Sequence, residues 1–368
     1  MKRLSVPVRG TCASRLENLT RRLDLGERAE EIVAVFRTMT EPWGDARSGE
    51  LPLSDVSPDG SPVEFAVDFD EADPAVQFAV EPMTPGGTAA DASSAARRMM
   101  AGLATAYGTS DERWASLADL YLPDDPAGGH VAMYGAEIRR HGPVRFKVWF
   151  YPTVEGPDRA LDLLGMGLDR LGLQAAWPAV LSHVRRDARR DLPFLLSLDL
   201  SASRAARIKI YFRHYDADAD YLATLLEKQP GFDPDLTTGF CRLMTGHAED
   251  LTVQPPVTCL TFTIADAREA DAATLYVPLW TYAASDEVLR GRVCRLFASH
   301  GRSADRYEHV LGEIASRPPA DGRGIHNYIS WQPGRDRPRV KIYFSPELHD
   351  TNPPPRYRLD ASDSSCRG

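Results

Sequence analysis

The chain has 368 residues, 43% hydrophobic and 26% charged, which excludes a disordered polymer and fits one large or two ordinary globular domains. Its net charge of −9 argues against nonspecific nucleic-acid binding, so any cationic chemistry has to be local. The five cysteines (Cys12, Cys241, Cys259, Cys294, Cys366) have no short ligand-type spacing, which points to neither a disulfide framework nor a zinc site and suits a reducing cytoplasm. Met1-Lys2-Arg3 precedes no apolar run of signal-peptide or membrane-spanning length, so a cytosolic location is the expectation.

In chain order, residues 1–10 read as a loose arm. Residues 12–23 and 26–39 carry apolar side chains at helical spacing (Leu16, Leu19, Leu23; Ile32, Val35, Phe36). A Pro/Gly/Asp-rich segment at 41–62 breaks the pattern, and 63–69 with 75–81 reads as a hairpin. Helices are expected at 91–107 and 111–121, then a hairpin at 131–139 and 144–151. Helices at 157–171 and 175–190 lead to strands at 194–200 and 206–213. Helices at 217–228 and 234–247 lead to strands at 257–264 and 272–279. The last unit has helices at 285–299 and 303–316 and strands at 325–331 and 339–345. Residues 1–350 form a single domain on this reading, and the Pro/Ser/Asp-rich tail 351–368 is expected to be disordered.

The second strands of these hairpins repeat one pattern. Arg207-Ile208-Lys209-Ile210-Tyr211-Phe212 recurs as Arg339-Val340-Lys341-Ile342-Tyr343-Phe344 and as Arg145-Phe146-Lys147-Val148-Trp149-Phe150. Weaker copies begin at Ala75 and Ala272, so the five starts fall at 75, 145, 207, 272 and 339, intervals of 62 to 70 residues. Side chains alternate across a strand, so Arg207, Lys209 and Tyr211 share one face and the apolar residues the other. A single such strand reads as a solvated face. Five equivalent helix-helix-strand-strand units predict an α+β fold: a closed ten-stranded antiparallel barrel wrapped by amphipathic helices. The polar faces then line a lumen, and six cations gathered there require an anionic ligand.

Other motifs fall away. Asp68-Phe69-Asp70-Glu71 lacks the spacing of a magnesium-binding aspartate motif and sits at a hairpin turn. Asp216-x-Asp218-x-Asp220 has Tyr221 where a calcium loop needs glycine. There is no HExxH, GxxxxGK[ST] or GxGxxG, and His214 and His326 read as ordinary polar residues.

The repeat, with Arg207-x-Lys209-x-Tyr211, Lys147-x-Trp149 and Pro62-Val63-Glu64-Phe65, resembles the aromatic prenyltransferases of the dimethylallyltryptophan synthase type, in particular their bacterial indole-prenylating members. The resemblance covers about residues 12–345. It implies a ten-stranded prenyltransferase (ABBA) barrel with its active site in the lumen. It also implies transfer of a dimethylallyl group from dimethylallyl diphosphate to tryptophan or a tryptophan derivative, with release of diphosphate, in secondary metabolism. By motif, Lys147, Arg207, Lys209 and Lys341, with Arg335 or Arg339, correspond to the diphosphate grip. Trp149, Tyr211, Tyr276, Tyr328 and Tyr343 correspond to the shield around the allyl cation. Glu64 corresponds to the glutamate at the indole nitrogen, and Tyr151 and Tyr134 are assigned to the acceptor. Trp149, Gln77 and Thr274 depart from the family pattern, where Tyr, Arg, and Gln or Lys are common.

On chemical grounds, cationic donors stabilise the departing diphosphate, aromatic faces stabilise the allylic cation and exclude water, and a base removes the last proton. The Arg/Lys set takes the place of magnesium, so no metal or other cofactor is expected to be essential. The partners are small molecules, without nucleic acid or membrane. N1 of the indole is slightly favoured over a ring carbon, because Glu64 is the obvious base. The alternatives are a phenolic acceptor in the same barrel, or a noncatalytic barrel that binds an anionic metabolite.

Overall fold

Period-two alternation closes the chain on itself. The computed structural model describes residues 6–69, 73–127, 129–247, 251–334, 337–349 and 351–356. Five units follow one another: α1 (Val8–Arg22), α2 (Ala29–Thr40), β1 (Val63–Asp68) and β2 (Ala75–Val80), then α3 (Asp91–Tyr107), α4 (Glu112–Tyr121), β3 (Ala132–Arg139) and β4 (Arg145–Phe150). The third unit is α5 (Ala160–Arg170), α6 (Trp177–Leu181), β5 (Asp191–Asp199) and β6 (Arg207–His214). The fourth is α7 (Ala219–Leu226), α8 (Pro234–Thr245), β7 (Val257–Thr263) and β8 (Ala272–Pro278); the fifth is α9 (Asp286–Ser299), α10 (Asp305–Ile314), β9 (His326–Gln332) and β10 (Arg339–Phe344). Each strand pairs antiparallel with its sequence neighbours, and β1 closes on β10 to complete a ten-stranded barrel. No helix among the described residues is long and apolar enough to cross a membrane.

The ladder register fixes which side chains face inward. Glu64 pairs with Ala79, Ala79 with Gly135, Gln77 with Glu137, Lys147 with Asp199, Ser197 with Lys209, and Lys341 with Ser330. These residues form one continuous inner face. Val76, Phe78, Val148, Ile208, Ile210 and Ile342 point the other way and are fully buried in the apolar layer that includes Phe36, Leu103, Leu163 and Leu222 of the helices. At roughly 25 cal/mol per Å² of apolar surface, this outer layer is the main source of stability.

Three expectations need correction. The helix expected at 175–190 is only α6. Beyond it, Asp187 Oδ1 accepts the N–H groups of Arg189 and Arg190, and Asp191 Oδ2 accepts those of Arg185 and Arg186. Such side-chain acceptors compete with a helical backbone. The N-terminal arm is ordered from Val6, because α1 starts at Val8 directly after Pro7, which bridges to Arg47. Residues 351–356 pack on the barrel: Pro353 is buried and the Trp280 Nε1–H donates to the Pro354 carbonyl. Residues 1–5 and 357–368 lie outside the described residues.

Candidate active site

A cavity of about 380 Å³ occupies the lumen, a size typical of sites for small organic molecules. Its walls fall into three layers, running from the end where the hairpins turn to the end where the helices connect.

The turn-end layer is cationic. Arg139, Arg145, Lys147, Arg207, Lys209, Arg339 and Lys341 all line the cavity. Three carboxylates are set among them. Asp199 holds Arg207 through Nε at 2.9 Å and Nη2 at 3.3 Å, and Asp68 accepts from Arg339 Nη2 at 2.7 Å. Glu137 lies 3.4 Å from Lys147 Nζ, 3.5 Å from Lys341 Nζ and 3.3 Å from Arg139 Nε. Burial works against the Glu137 anion, but Lys147, Lys341 and Arg139 together hold its carboxyl well below the ordinary range. Lys209 has no ion-pair partner among the described residues, and burial lowers its pKa. Seven cations against four carboxylates, the fourth being Asp73 at 2.8 Å from Arg139, leave an excess of positive charge, which suits a polyanionic ligand. Gln77, where relatives often carry a cation, accepts from both Lys147 and Lys341 through its amide oxygen, at 3.4 and 3.2 Å.

The middle layer is aromatic. Tyr211 and Tyr276 ring centroids lie 5.8 Å apart and those of Tyr276 and Tyr343 5.7 Å apart, while Trp149 Nε1 donates to the Tyr211 hydroxyl at 3.3 Å. Lys147 Nζ sits 5.8 Å from the Trp149 ring. Burial raises the pKa of the Tyr211, Tyr276 and Tyr343 phenols, so the belt stays neutral and presents π faces to the lumen. Gly135 makes room for it, since a Cβ there would lie 2.7 Å from the Trp149 ring and 2.9 Å from the Phe78 carbonyl oxygen.

The helix-end layer is mixed. Burial pushes the Glu64 carboxyl well above its usual range, and a hydrogen bond from Asn327 Nδ2 partly opposes this. Asn327 Nδ2 also donates to the Val56 carbonyl at 3.3 Å. Asp55 pairs with Arg213 at 3.4 Å, and the Arg213 guanidinium stacks 3.9 Å from the centre of the Phe194 ring. Tyr151, Tyr328, Trp280 and Arg356 complete this end.

Most of the residues singled out from sequence converge here. Glu64, Lys147, Arg207, Lys209, Arg339, Lys341, Trp149, Tyr151, Tyr211, Tyr276, Tyr328 and Tyr343 all line the one cavity. Arg335 lies outside the described residues. Tyr134 does not belong to the site: it pairs with Val148 on the outer face, accepts from Trp114 Nε1 at 2.9 Å and donates to the Ala96 carbonyl. Sequence reasoning missed Glu137, Arg139, Asp55, Phe194, Arg213, Trp280 and Arg356. Arg213 continues the alternation 207, 209, 211 and was legible; Phe194 reaches the lumen through the register shift between Pro193 and Leu195. His214 and His326 are away from the cavity. Each is a link in a buried network, His214 between Asp191 and Thr258, His326 between Asp286 and Tyr307. No cluster of three His, Cys, Asp or Glu side chains able to hold a metal ion occurs among the described residues.

Comparison with known proteins agrees with this geometry. The 6-dimethylallyltryptophan synthase from Micromonospora olivasterospora, solved with DMASPP and Trp, superposes with a TM-score of 0.85 at 29% identity, covering 95% of this chain and 100% of that one. The 5-dimethylallyltryptophan synthase from Streptomyces coelicolor, also solved with DMASPP and Trp, gives 0.85 at 27% identity over 97% of this chain and 99% of that one. The prenyltransferase PriB in ternary complex with L-tryptophan and dimethylallyl thiolodiphosphate gives 0.84 at 26% identity, covering 96% and 100%. The family model for tryptophan dimethylallyltransferase matches residues 43–311, and the chain therefore belongs to that prenyltransferase family.

Proposed function

We propose that the lumen transfers a dimethylallyl group from dimethylallyl diphosphate to the indole ring of tryptophan. The observation that carries this is the order of the layers, with an excess of cations below an aromatic belt and a buried carboxylate above it. Lys147, Arg207, Lys209, Arg339 and Lys341 hold the diphosphate and stabilise it as its C–O bond breaks. One preorganised donor is typically worth about 3–4 kcal/mol at such a step. Arg supplies a planar fork and Lys a point charge, so the set provides the role that magnesium plays in other allylic chemistry. The faces of Trp149, Tyr211, Tyr276 and Tyr343 surround the cation, each contributing about 0.5–2 kcal/mol, and keep water from it. Glu64 accepts the indole N–H. Burial raises its pKa, which makes it a stronger base than an exposed carboxylate.

Two regiochemistries differ in what they ask of Glu64. As the acceptor-side base, Glu64 favours attack by N1. The structurally similar enzymes are named for attack at ring carbons 5 and 6, which favours a benzenoid carbon. Incubation with tryptophan and dimethylallyl diphosphate in excess chelator, with NMR of the product, tests the reaction and metal independence together. Product is expected in chelator; its loss, restored by Mg²⁺, would reject the metal-independent grip. Turnover excludes the noncatalytic alternative, and preference for a phenol over tryptophan would replace the indole by that acceptor. With N1 as nucleophile, Glu64→Gln is nearly inactive, because an amide is no base; with a ring carbon, it retains part of the rate.

A further inference from the structure

The two ends of the lumen are built from different material. At the turn end the rim is made of side chains, and those of Arg145 and Arg339 are 54% and 46% exposed. At the helix end the cover is made of backbone. The loop before β1 lies across it, and every residue from Val56 to Pro62 is buried. A buried loop needs partners for its polar groups, and Asp59 is the hub that supplies them. Its Oδ1 accepts the Ser61 N–H at 3.1 Å and the Ser345 hydroxyl at 2.9 Å; its Oδ2 accepts the Ser61 hydroxyl at 2.7 Å and the His349 N–H at 3.1 Å. Ser345 and His349 belong to the segment after β10, which crosses over the loop. In the same crossing the Leu348 N–H donates to Ser61 Oγ at 3.0 Å and Arg356 Nη1 to the Ser54 carbonyl at 2.7 Å. Below it, Trp280 lines the cavity, donates to the Pro354 carbonyl and is 1% exposed.

We infer that both substrates pass through the turn end, so that the acceptor loads before the allylic diphosphate and the prenylated product leaves after diphosphate. This order rests on the reading above, in which an indole acceptor sits by Glu64, beyond the aromatic belt. Long Arg and Lys side chains at the rim swing aside on the picosecond-to-nanosecond scale without any change in the backbone. The helix end opens only when the hydrogen bonds of Asp59, Ser61 and Arg356 break together, which is a local unfolding. Among the described residues, then, the way to Glu64 runs past the diphosphate grip. A seated diphosphate draws together Lys147 of β4, Lys209 of β6 and Lys341 of β10 and closes that passage. An acceptor that arrives later is shut out, and one already inside is shut in. The order also serves the chemistry. The acceptor has displaced water from the lumen before the leaving group is gripped, so the allylic cation forms against its nucleophile.

Exchange of radiolabelled L-tryptophan on the full-length wild type, with inorganic pyrophosphate as the seated anion, reads this without turnover. Release is followed by chasing bound label with unlabelled tryptophan, and uptake by adding label to the free protein, each with and without saturating pyrophosphate. Pyrophosphate is expected to slow release and uptake alike, each by at least about tenfold, as binding slows when a passage must first open. The affinity for tryptophan then stays nearly constant. An anion that only attracts or repels the acceptor changes its affinity, and so moves the two rates by unequal factors. Rates that pyrophosphate leaves unchanged, or a changed affinity carried by one rate alone, overturn the inference and show that the acceptor enters by another path. Absence of product from tryptophan and dimethylallyl diphosphate would instead overturn the reaction proposed above, while the exchange rates still report the path. A protein that takes up no tryptophan overturns both.

Discussion

The Glu137 carboxylate lies 3.4 Å from the Lys147 ammonium, inside the cationic layer proposed to hold a diphosphate. An anion there weakens the grip on another anion, yet it also keeps the grip charged. Burial lowers the Lys147 pKa to about 8, and Glu137 opposes that fall. In the free enzyme Lys147 is therefore charged below about pH 8 and loses its proton as the pH rises through that value.

It follows that kcat/KM for dimethylallyl diphosphate falls above about pH 8, a profile that reports free-enzyme groups. Glu137→Gln removes the group that raises Lys147, so the fall moves to lower pH, by about one unit or about 1.4 kcal/mol. At least about one unit below that lowered limb, where Lys147 keeps its proton in the variant too, the same variant binds pyrophosphate more tightly. An alkaline limb at the same pH in parent and variant would show that Glu137 does not set the charge of Lys147.

Arg207 and Lys209 separate function from stability. Replacing either with Ala is expected to reduce kcat about 10²–10³-fold. Their effects on thermal stability have opposite signs. Arg207→Ala leaves Asp199 without its bidentate partner and lowers Tm. Lys209 has no carboxylate partner among the described residues, so Lys209→Met relieves an uncompensated cation and raises Tm while abolishing turnover. A Lys209→Met protein with lowered Tm and near-native kcat would contradict both halves.

Gly135 is required by the Trp149 ring rather than by its own backbone. Gly135→Ala places a methyl group 2.7 Å from that ring and 2.9 Å from the Phe78 carbonyl, where the rigid backbone cannot yield and the indole must shift. The expected result is a loss of about 1–3 kcal/mol in stability and a lower kcat. Thermal melting with steady-state kinetics checks this; unchanged values in both would mean that the ring relocates at no cost.

Acid sensitivity is expected from the buried network at the start of β5. Burial opposes the Asp191 anion, but hydrogen bonds from His214 and Arg186 hold its carboxyl far below the usual range. Stability from Asp191 is present above the unfolded carboxylate range and is lost as pH falls toward the folded value. Burial lowers the His214 pKa in the fold, against the pull of Asp191, while the unfolded chain takes up a proton near pH 6.5, so stability also declines below that pH. Asp191→Asn leaves Arg186 without its carboxylate and should cost about 3–5 kcal/mol at neutral pH, read by denaturant unfolding. A loss below about 1 kcal/mol would show the network to be dispensable.

Alternation along each hexad, the spacing of the repeats and the helical spacing between them are local properties, and by themselves they determined the barrel and its inner Arg-x-Lys-x-aromatic faces. Arg207, Lys209 and Tyr211 could be placed together because a strand has period two whatever surrounds it. The same rule applied to β3 would have turned Tyr134 outward and Glu137 inward, but it needs the register with β4, which is a property of two strands. Phe194 depended on a shift in the β5–β6 ladder. Asp55, Arg213 and Arg356 lie far apart in the chain and meet only because the barrel closes and the segment after β10 packs back across its helix end. The sequence could name six cations of the lumen, those of the three Arg-x-Lys strands, but not Arg139. Which of them are neutralised by Glu137, Asp68 and Asp199, and which remain for a ligand, depended on distances of a few ångströms that only the closed sheet sets, because Coulomb energies in a buried site are decided at that range.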